Sequence, residues 1–142
     1  PEQNKNCLLS SSNGKGFIVD SNTLISNQKK GKKLFNLKIS DILIKVLNAN
    51  KKYIAITNKS GKLLIFNIES LPILQKGSGV QLMKLKKNEL IADIKLFDQS
   101  EDLTWYSGSK VKKLNDITFW MGKRAQSGKK VPKYFNKNFK FE

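Results

Sequence analysis

The chain has 142 residues, 27 of them Lys or Arg against 11 Asp or Glu, with no His, for a formal net charge of +16. A lone cysteine, Cys7, rules out a disulfide within the chain, and one Cys with no His leaves too few ligands for a protein-only zinc site. No apolar run approaches the roughly 20 residues that a membrane-crossing helix needs.

The length is that of one ordinary domain, and a 39% hydrophobic content with eight Phe and two Trp is enough to pack a core. Nearly all the positive charge is lysine, since Arg124 is the only arginine. Such an excess over acids points to a polyanionic partner, DNA or RNA first and an anionic membrane surface second. A single cysteine fits a reducing compartment. The opening Pro1-Glu2-Gln3-Asn4 has no initiator Met and no apolar leader, so it reads as the start of a fragment of a longer protein.

In chain order, Gly14-Lys15-Gly16-Phe17-Ile18-Val19 is followed 47 residues later by Gly61-Lys62-Leu63-Leu64-Ile65-Phe66, and the same spacing leads to Gly108 in Ser107-Gly108-Ser109-Lys110-Val111-Lys112. A second anchor recurs with it. Gly31-Lys32-Lys33-Leu34-Phe35-Asn36-Leu37 matches Gly79-Val80-Gln81-Leu82-Met83-Lys84-Leu85 at 48 residues, and then Gly128-Lys129-Lys130-Val131-Pro132-Lys133-Tyr134 at 49. Two anchors drifting together mark a tandem repeat with units of about 1–47, 48–97 and 98–135 and a tail at 136–142. The whole forms one domain. Arrays of one module present surfaces more often than catalytic pockets.

Within the second unit the predicted strands are Tyr53–Asn58, Lys62–Asn67, Val80–Leu85 and Glu89–Leu96. The first two are apolar and β-branched runs joined by an Asn-Lys-Ser-Gly turn, a hairpin pattern. Ile39–Val46 occupies the inter-unit position and is β-branched, which predicts a strand. Pro72 falls in the connection after the hairpin, and Pro132 makes the last strand of the third unit an edge or irregular one. The tail from Asn136 orders only if Phe139 and Phe141 dock. A period in the high forties with about four strands per unit predicts an all-β, propeller-like array of about three four-stranded repeats, open rather than closed.

Each unit carries a basic, Gly-containing loop at one place: Gln28-Lys29-Lys30-Gly31-Lys32-Lys33, then Gln75-Lys76-Gly77-Ser78-Gly79, then Gly122-Lys123-Arg124-Ala125-Gln126-Ser127-Gly128-Lys129-Lys130. Glycine lets backbone N–H groups approach a phosphate, and each lysine adds a charge that releases condensed counterions. The candidate DNA-contacting residues are therefore Lys29, Lys30, Lys32, Lys33, Lys76, Lys123, Arg124, Lys129 and Lys130. Singly, such loops are solvated turns; three in register on one rim fit sequence-independent phosphate contact, with no groove-filling helix to read bases.

Other candidates carry less. Tyr53, Trp105, Tyr106, Phe119 and Trp120 fall at or beside strand positions and are expected in the core rather than as stacking platforms for bases. Cys7 begins a strand and, with no His to activate it, is expected as a small buried hydrophobe. Asp98, Glu101 and Asp102 are expected as turn carboxylates, not ion ligands.

The run Leu71-Pro72-Ile73-Leu74-Gln75-Lys76-Gly77-Ser78-Gly79, preceded by Gly61-Lys62-Leu63-Leu64-Ile65-Phe66, resembles the blade pattern G-x-x-L-x-F…LP-x-L-x-KGKG found in the C-terminal domain of the A subunit of bacterial DNA topoisomerase IV. Leu103-Thr104 with Gly108–Leu114 is similar to the last blades of that family. The likeness is strong over the second unit, moderate over the first and weak after Leu114. It implies a β-pinwheel that binds duplex DNA on its basic rim, bends it toward the cleavage core and tunes substrate and supercoil preference. It further implies a parent type IIA topoisomerase, an isomerase of the bacterial cytoplasm that acts on the chromosome and its segregation. ATP and Mg2+ are expected in other domains of that enzyme, and the domain itself is expected to need no cofactor and catalyse nothing. The implied partners are the N-terminal cleavage domain of the same chain and the ATPase subunit of the topoisomerase IV holoenzyme, with no membrane and a monomeric isolated domain.

The A subunit of the related DNA gyrase carries a QRRGGKG box in its first blade. Gln28-Lys29-Lys30-Gly31-Lys32-Lys33 departs from it, with Lys for both Arg and one Gly missing, which favours the topoisomerase IV role over DNA wrapping. Two further readings stay open on the residues: a propeller-type protein-interaction scaffold, favoured by scattered lysines, and a single-strand or RNA binder, favoured by exposed Trp105 and Trp120.

Overall fold

The computed structural model describes residues 6–20, 43–48 (backbone only), 50–74, 79–98 and 100–141. The strands are β1 (Asn6–Ser11), β2 (Lys15–Asp20), β3 (Leu43–Asn48), β4 (Tyr53–Asn58), β5 (Lys62–Asn67), β6 (Val80–Gln81), β7 (Ile91–Phe97), β8 (Leu103–Ser107), β9 (Lys110–Leu114) and β10 (Lys129–Lys130). Two single 3-10 turns, Ile68–Ser70 and Thr118–Trp120, complete the elements, and no α-helix occurs among the described residues.

Local chemistry sets the hairpins. Gly14 and Gly61 sit at φ 86° and 88°, where a side chain would be strained, and each closes a turn through its N–H, to the Ser11 and Asn58 carbonyls respectively. The Asn58 side chain accepts from the N–H groups of Ser60 (3.1 Å) and Lys62 (3.0 Å), fixing the turn from inside. The third hairpin is tighter. Its register pairs Ser107 with Lys110, so only Gly108 and Ser109 turn the chain, whereas Thr57 pairs with Leu63 across five residues.

The array is all-β, and its sheets are not closed. One sheet runs β3-β1-β2-β6 and a second runs β7-β4-β5-β10, while β8 and β9 pair as a third. The outer strand of each four-stranded sheet comes from the following repeat: β6 pairs with β2, and β10 pairs with β5. In each case the chain first touches the recipient strand as a parallel bridge, Ile73 to Ile18 and Met121 to Ile65, and then returns antiparallel. The strand expected at Val80–Leu85 is shorter than its sequence bounds and lies on the sheet of the preceding unit. Only Val80–Gln81 is strand; Leu82 and Met83 beyond it are buried, with the Leu82 N–H donating to the Gly14 carbonyl (2.6 Å). The neighbouring strand begins at Ile91 rather than Glu89. β3 appears at the inter-unit position, with Leu43–Val46 of the expected segment inside it and 39–42 outside the described residues.

Alternation explains the packing. On β5, Leu64 and Phe66 join Leu8, Ile18, Ile54, Ile56, Leu82 and Ile94 between the first two sheets. The intervening Leu63 and Ile65 join Ala55, Phe97, Leu103, Trp105 and Phe141 on the other face. A strand covered on both faces must read as a continuous apolar run, as this one does. Each such side chain contributes about 1.5–3 kcal/mol of burial.

The tail docks. Phe141 is 1% exposed, the Phe141 N–H donates to the Asp93 carboxylate (2.9 Å), and the Thr57 hydroxyl donates to the Phe139 carbonyl (2.5 Å). The Tyr106 N–H reaches the Phe141 carbonyl (3.2 Å), so the tail runs along β8 at the place that β3 holds on β1 and β7 holds on β4. β10 ends before Pro132, as a residue without an N–H requires.

Candidate nucleic-acid interface

The third basic loop is pinned at both ends to the second sheet. The Gly122 N–H donates to the Ile65 carbonyl (2.8 Å), and β10 pairs Lys129 with Leu63 and Lys130 with Lys62. Its middle is pinned to the strand segment that β6 sends onto the first sheet. The Ala125 N–H donates to the Leu82 carbonyl and the Lys84 N–H to the Gln126 carbonyl, both at 2.9 Å, and the Arg124 guanidinium donates to the Gln81 carbonyl at 2.8 Å. The Gln126 side chain accepts from the Lys123 N–H (2.9 Å) and closes the turn in which Ala125 takes φ 71°.

This rigid mount leaves the Lys123, Lys129 and Lys130 side chains exposed and Arg124 half-buried. Exposed Lys84 stands beside them, and with Gly122, Gln126 and Lys129 it lines a groove of about 420 Å³ that has no acid in its walls. Lys62 and Lys130 are direct cross-strand partners. Like charges so placed repel, a cost that an anion between them would relieve. The Lys129 ammonium lies 4.3 Å from the centre of the Phe119 ring.

Two acids, Asp98 and Glu101, sit at the other end of the β4–β5 hairpin. The Asp98 carboxylate accepts from the Lys52 N–H (2.8 Å), and Glu101 accepts from the Lys51 ammonium (2.6 Å) and the Asp98 N–H (2.9 Å). The Lys51 contact first, and then the Asp98 N–H, hold the Glu101 carboxyl below the usual glutamate range. Near the basic loop, Glu89 is held low by the Ser60 hydroxyl and then by the Lys86 N–H.

Of the residues singled out from sequence, Lys123, Arg124, Lys129 and Lys130 come together in this loop. Lys29, Lys30, Lys32, Lys33 and Lys76 lie outside the described residues. Lysines are not confined to the rim, since Lys110, Lys113, Lys133 and Lys137 are exposed elsewhere. Cys7 is buried in β1, and burial pushes its thiol up. The aromatic expectation divides. Trp105 is 2% exposed and donates to the Tyr134 carbonyl, and Trp120 is half-buried and donates to the Lys130 carbonyl. Tyr53 is half-buried against Phe97, but Tyr106 (50%) and Phe119 (57%) stand exposed, because β8 is covered on one face only and the Thr118–Trp120 turn buries none of its residues. Sequence reasoning missed Lys84 and Met121. The signal for Met121 was its place in the repeat, equivalent to Ile73.

Comparison with known proteins sets this geometry beside others. The chain matches the family described as DNA gyrase C-terminal domain, beta-propeller, over residues 5–50 and 52–98. It is 42% identical over 134 residues to the A subunit of DNA topoisomerase 4 from Rickettsia bellii (strain RML369-C), covering 94% of this chain and 18% of that protein. To the Haemophilus influenzae protein of the same name it is 30% identical over 142 residues, covering 92% and 19%. The chain thus spans about a fifth of the length of the curated relatives it matches. The fold is similar to that of the E. coli ParC C-terminal domain, with a TM-score of 0.76 at 19% identity over 96% of this chain and 59% of that one. It is also similar to the crystal structure of the C-terminal domain of DNA topoisomerase IV, with a TM-score of 0.73 at 22% identity over 92% and 42%.

Proposed function

The chain belongs to the DNA gyrase C-terminal domain, beta-propeller, family, and on that basis we propose that it binds duplex DNA along its basic rim without reading sequence, and bends it. The observation that carries this reading is the third loop, fixed by hydrogen bonds to two successive sheets with Lys123, Lys129 and Lys130 directed to solvent. A loop held this way loses little entropy on meeting a phosphate backbone. The strand exchange that mounts this loop occurs twice among the described residues, β6 on β2 and β10 on β5. Bending 20–30 bp costs roughly 1–6 kcal/mol, which several lysine–phosphate contacts offset at low salt and release as salt rises.

The parent protein is then the DNA-cleaving subunit of a type IIA topoisomerase of the bacterial cytoplasm. The identity to relatives named for topoisomerase 4 favours that enzyme over gyrase. The nucleophile and the sites for ATP and Mg2+ belong to other domains and to the partner ATPase subunit, and this domain presents DNA to the cleavage domain of its own chain. The indole N–H of each Trp is engaged inside the protein, which disfavours a stacking platform for single strands.

The test is competition between duplex and single-stranded DNA of equal length for this chain, read by anisotropy. Preference for duplex with a steep salt dependence supports the reading; preference for single strands, or no binding at low salt, overturns it.

A further inference from the structure

The groove beside the third loop holds apolar side chains that phosphate contact does not use. Phe119 is 57% exposed and Met121 is 38% exposed, although Phe17, Phe66, Phe97 and Phe141 are all fully buried. Neither is loosely held. Phe119 belongs to the Thr118–Trp120 turn and packs edge-on against Trp120, with ring centres 4.9 Å apart. Met121 is fixed by its parallel bridge to Ile65. The Lys129 ammonium covers one face of the Phe119 ring at 4.3 Å, and Lys84 lines the same groove. An apolar ring on a rigid mount, flanked by cations with no acid in the groove walls, is complementary to a surface that is anionic at its rims and apolar between them. The minor groove of a duplex is such a surface: phosphates on either side, sugars and base edges at the floor.

We propose that Phe119, backed by Met121, enters the minor groove of bound duplex DNA as an apolar wedge and turns the lysine–phosphate hold into a local bend. This rests on the duplex reading above and adds to it the residue that deforms the DNA. A wedge that partly unstacks a base step works most easily at flexible pyrimidine–purine steps and least easily in stiff A-tracts. The chain therefore prefers deformable DNA while remaining blind to the bases themselves. The second unit lacks such a ring, because the equivalent of Phe119 there is the buried Leu71.

The test compares this chain with its Phe119→Ala and Phe119→Leu variants on two duplexes of equal length, one with central TA steps and one with a central A-tract. End-to-end energy transfer reads the bend, and a salt series reads the phosphate contacts. The unaltered chain is expected to bind the TA duplex several-fold more tightly and to bend it. Phe119→Ala is expected to lose that preference and the bend while keeping the salt slope, and Phe119→Leu to keep most of both. A bend and preference that survive Phe119→Ala overturn the wedge, as does a steep salt slope without any bend in the unaltered chain. No duplex binding by the unaltered chain overturns the underlying DNA reading and the wedge with it.

Discussion

The Arg124 guanidinium donates to the carbonyl oxygen of Gln81 at 2.8 Å, so the only arginine ties the third basic loop to the strand that the preceding repeat lends to the first sheet. It acts as a tether as well as a charge. Arg124→Lys keeps the charge and loses the planar donor, and is expected to lower stability by about 1.5 kcal/mol while leaving the salt slope of DNA binding unchanged. Arg124→Ala is expected to lower stability similarly and reduce the slope by about 1. Urea unfolding and a salt titration separate the two effects.

Gly128 takes φ 75°, and a Cβ there would lie 2.6 Å from the Leu63 carbonyl oxygen. Its repeat equivalent Gly79, at φ 76°, would drive a Cβ into the Gly16 carbonyl. Gly108 also has positive φ, at 64°, but has open space around it. Gly128→Ala is expected to cost more than about 2 kcal/mol, because strain adds to displacement of β10. Gly108→Ala is expected to cost about 1 kcal/mol for the backbone conformation alone. Chemical denaturation of the two variants gives the difference.

The buried Asp93 carboxylate accepts from the N–H groups of Ile94 and Phe141, each at 2.9 Å. Asp93→Ala leaves both unsatisfied, at about 1–3 kcal/mol each. Phe141→Ala empties a packed site in the cluster that holds Trp105 and Phe97, against the Phe135 ring, at about 3–5 kcal/mol. Both changes release the same tail, so the double variant is expected to lose less than the two single losses combined. A double-mutant cycle measures the shortfall.

The Glu101 carboxyl is held low by Lys51. A depressed carboxylate contributes stability that is present above the unfolded pKa of about 4.3 and lost as pH falls through the folded value. The melting temperature is therefore expected to drop as pH is lowered below about 4.3, and to drop less in Glu101→Gln. Salt weakens the effect, since the pair is part-exposed.

What was legible in the sequence is what each unit decides locally. Gly14 and Gly61, and again Gly79 and Gly128, recur because each needs positive φ at a fixed distance from an apolar run, and that requirement survives drift in the side chains around it. The destination of β6 and β10 was not legible. Two-residue strands carry too little pattern to name a partner, and their pairing is decided by the sheet next door. The exposure of Phe119 was hidden for a similar reason, as a Phe beside a Trp reads as core until its turn is seen to bury none of its residues. The loop Gly122–Lys130 was legible as a charge cluster, but its attachment to Gln81 and Leu82 was not.

Phosphate contact by that loop is tested most directly by the salt dependence of duplex binding for this chain and for its Lys123→Ala/Lys129→Ala/Lys130→Ala variant. The expected result is a variant that keeps its melting temperature, binds more weakly at low salt and loses about 2–3 units of slope, close to 0.9 per phosphate contact removed. An unchanged affinity and slope in the variant would contradict the account.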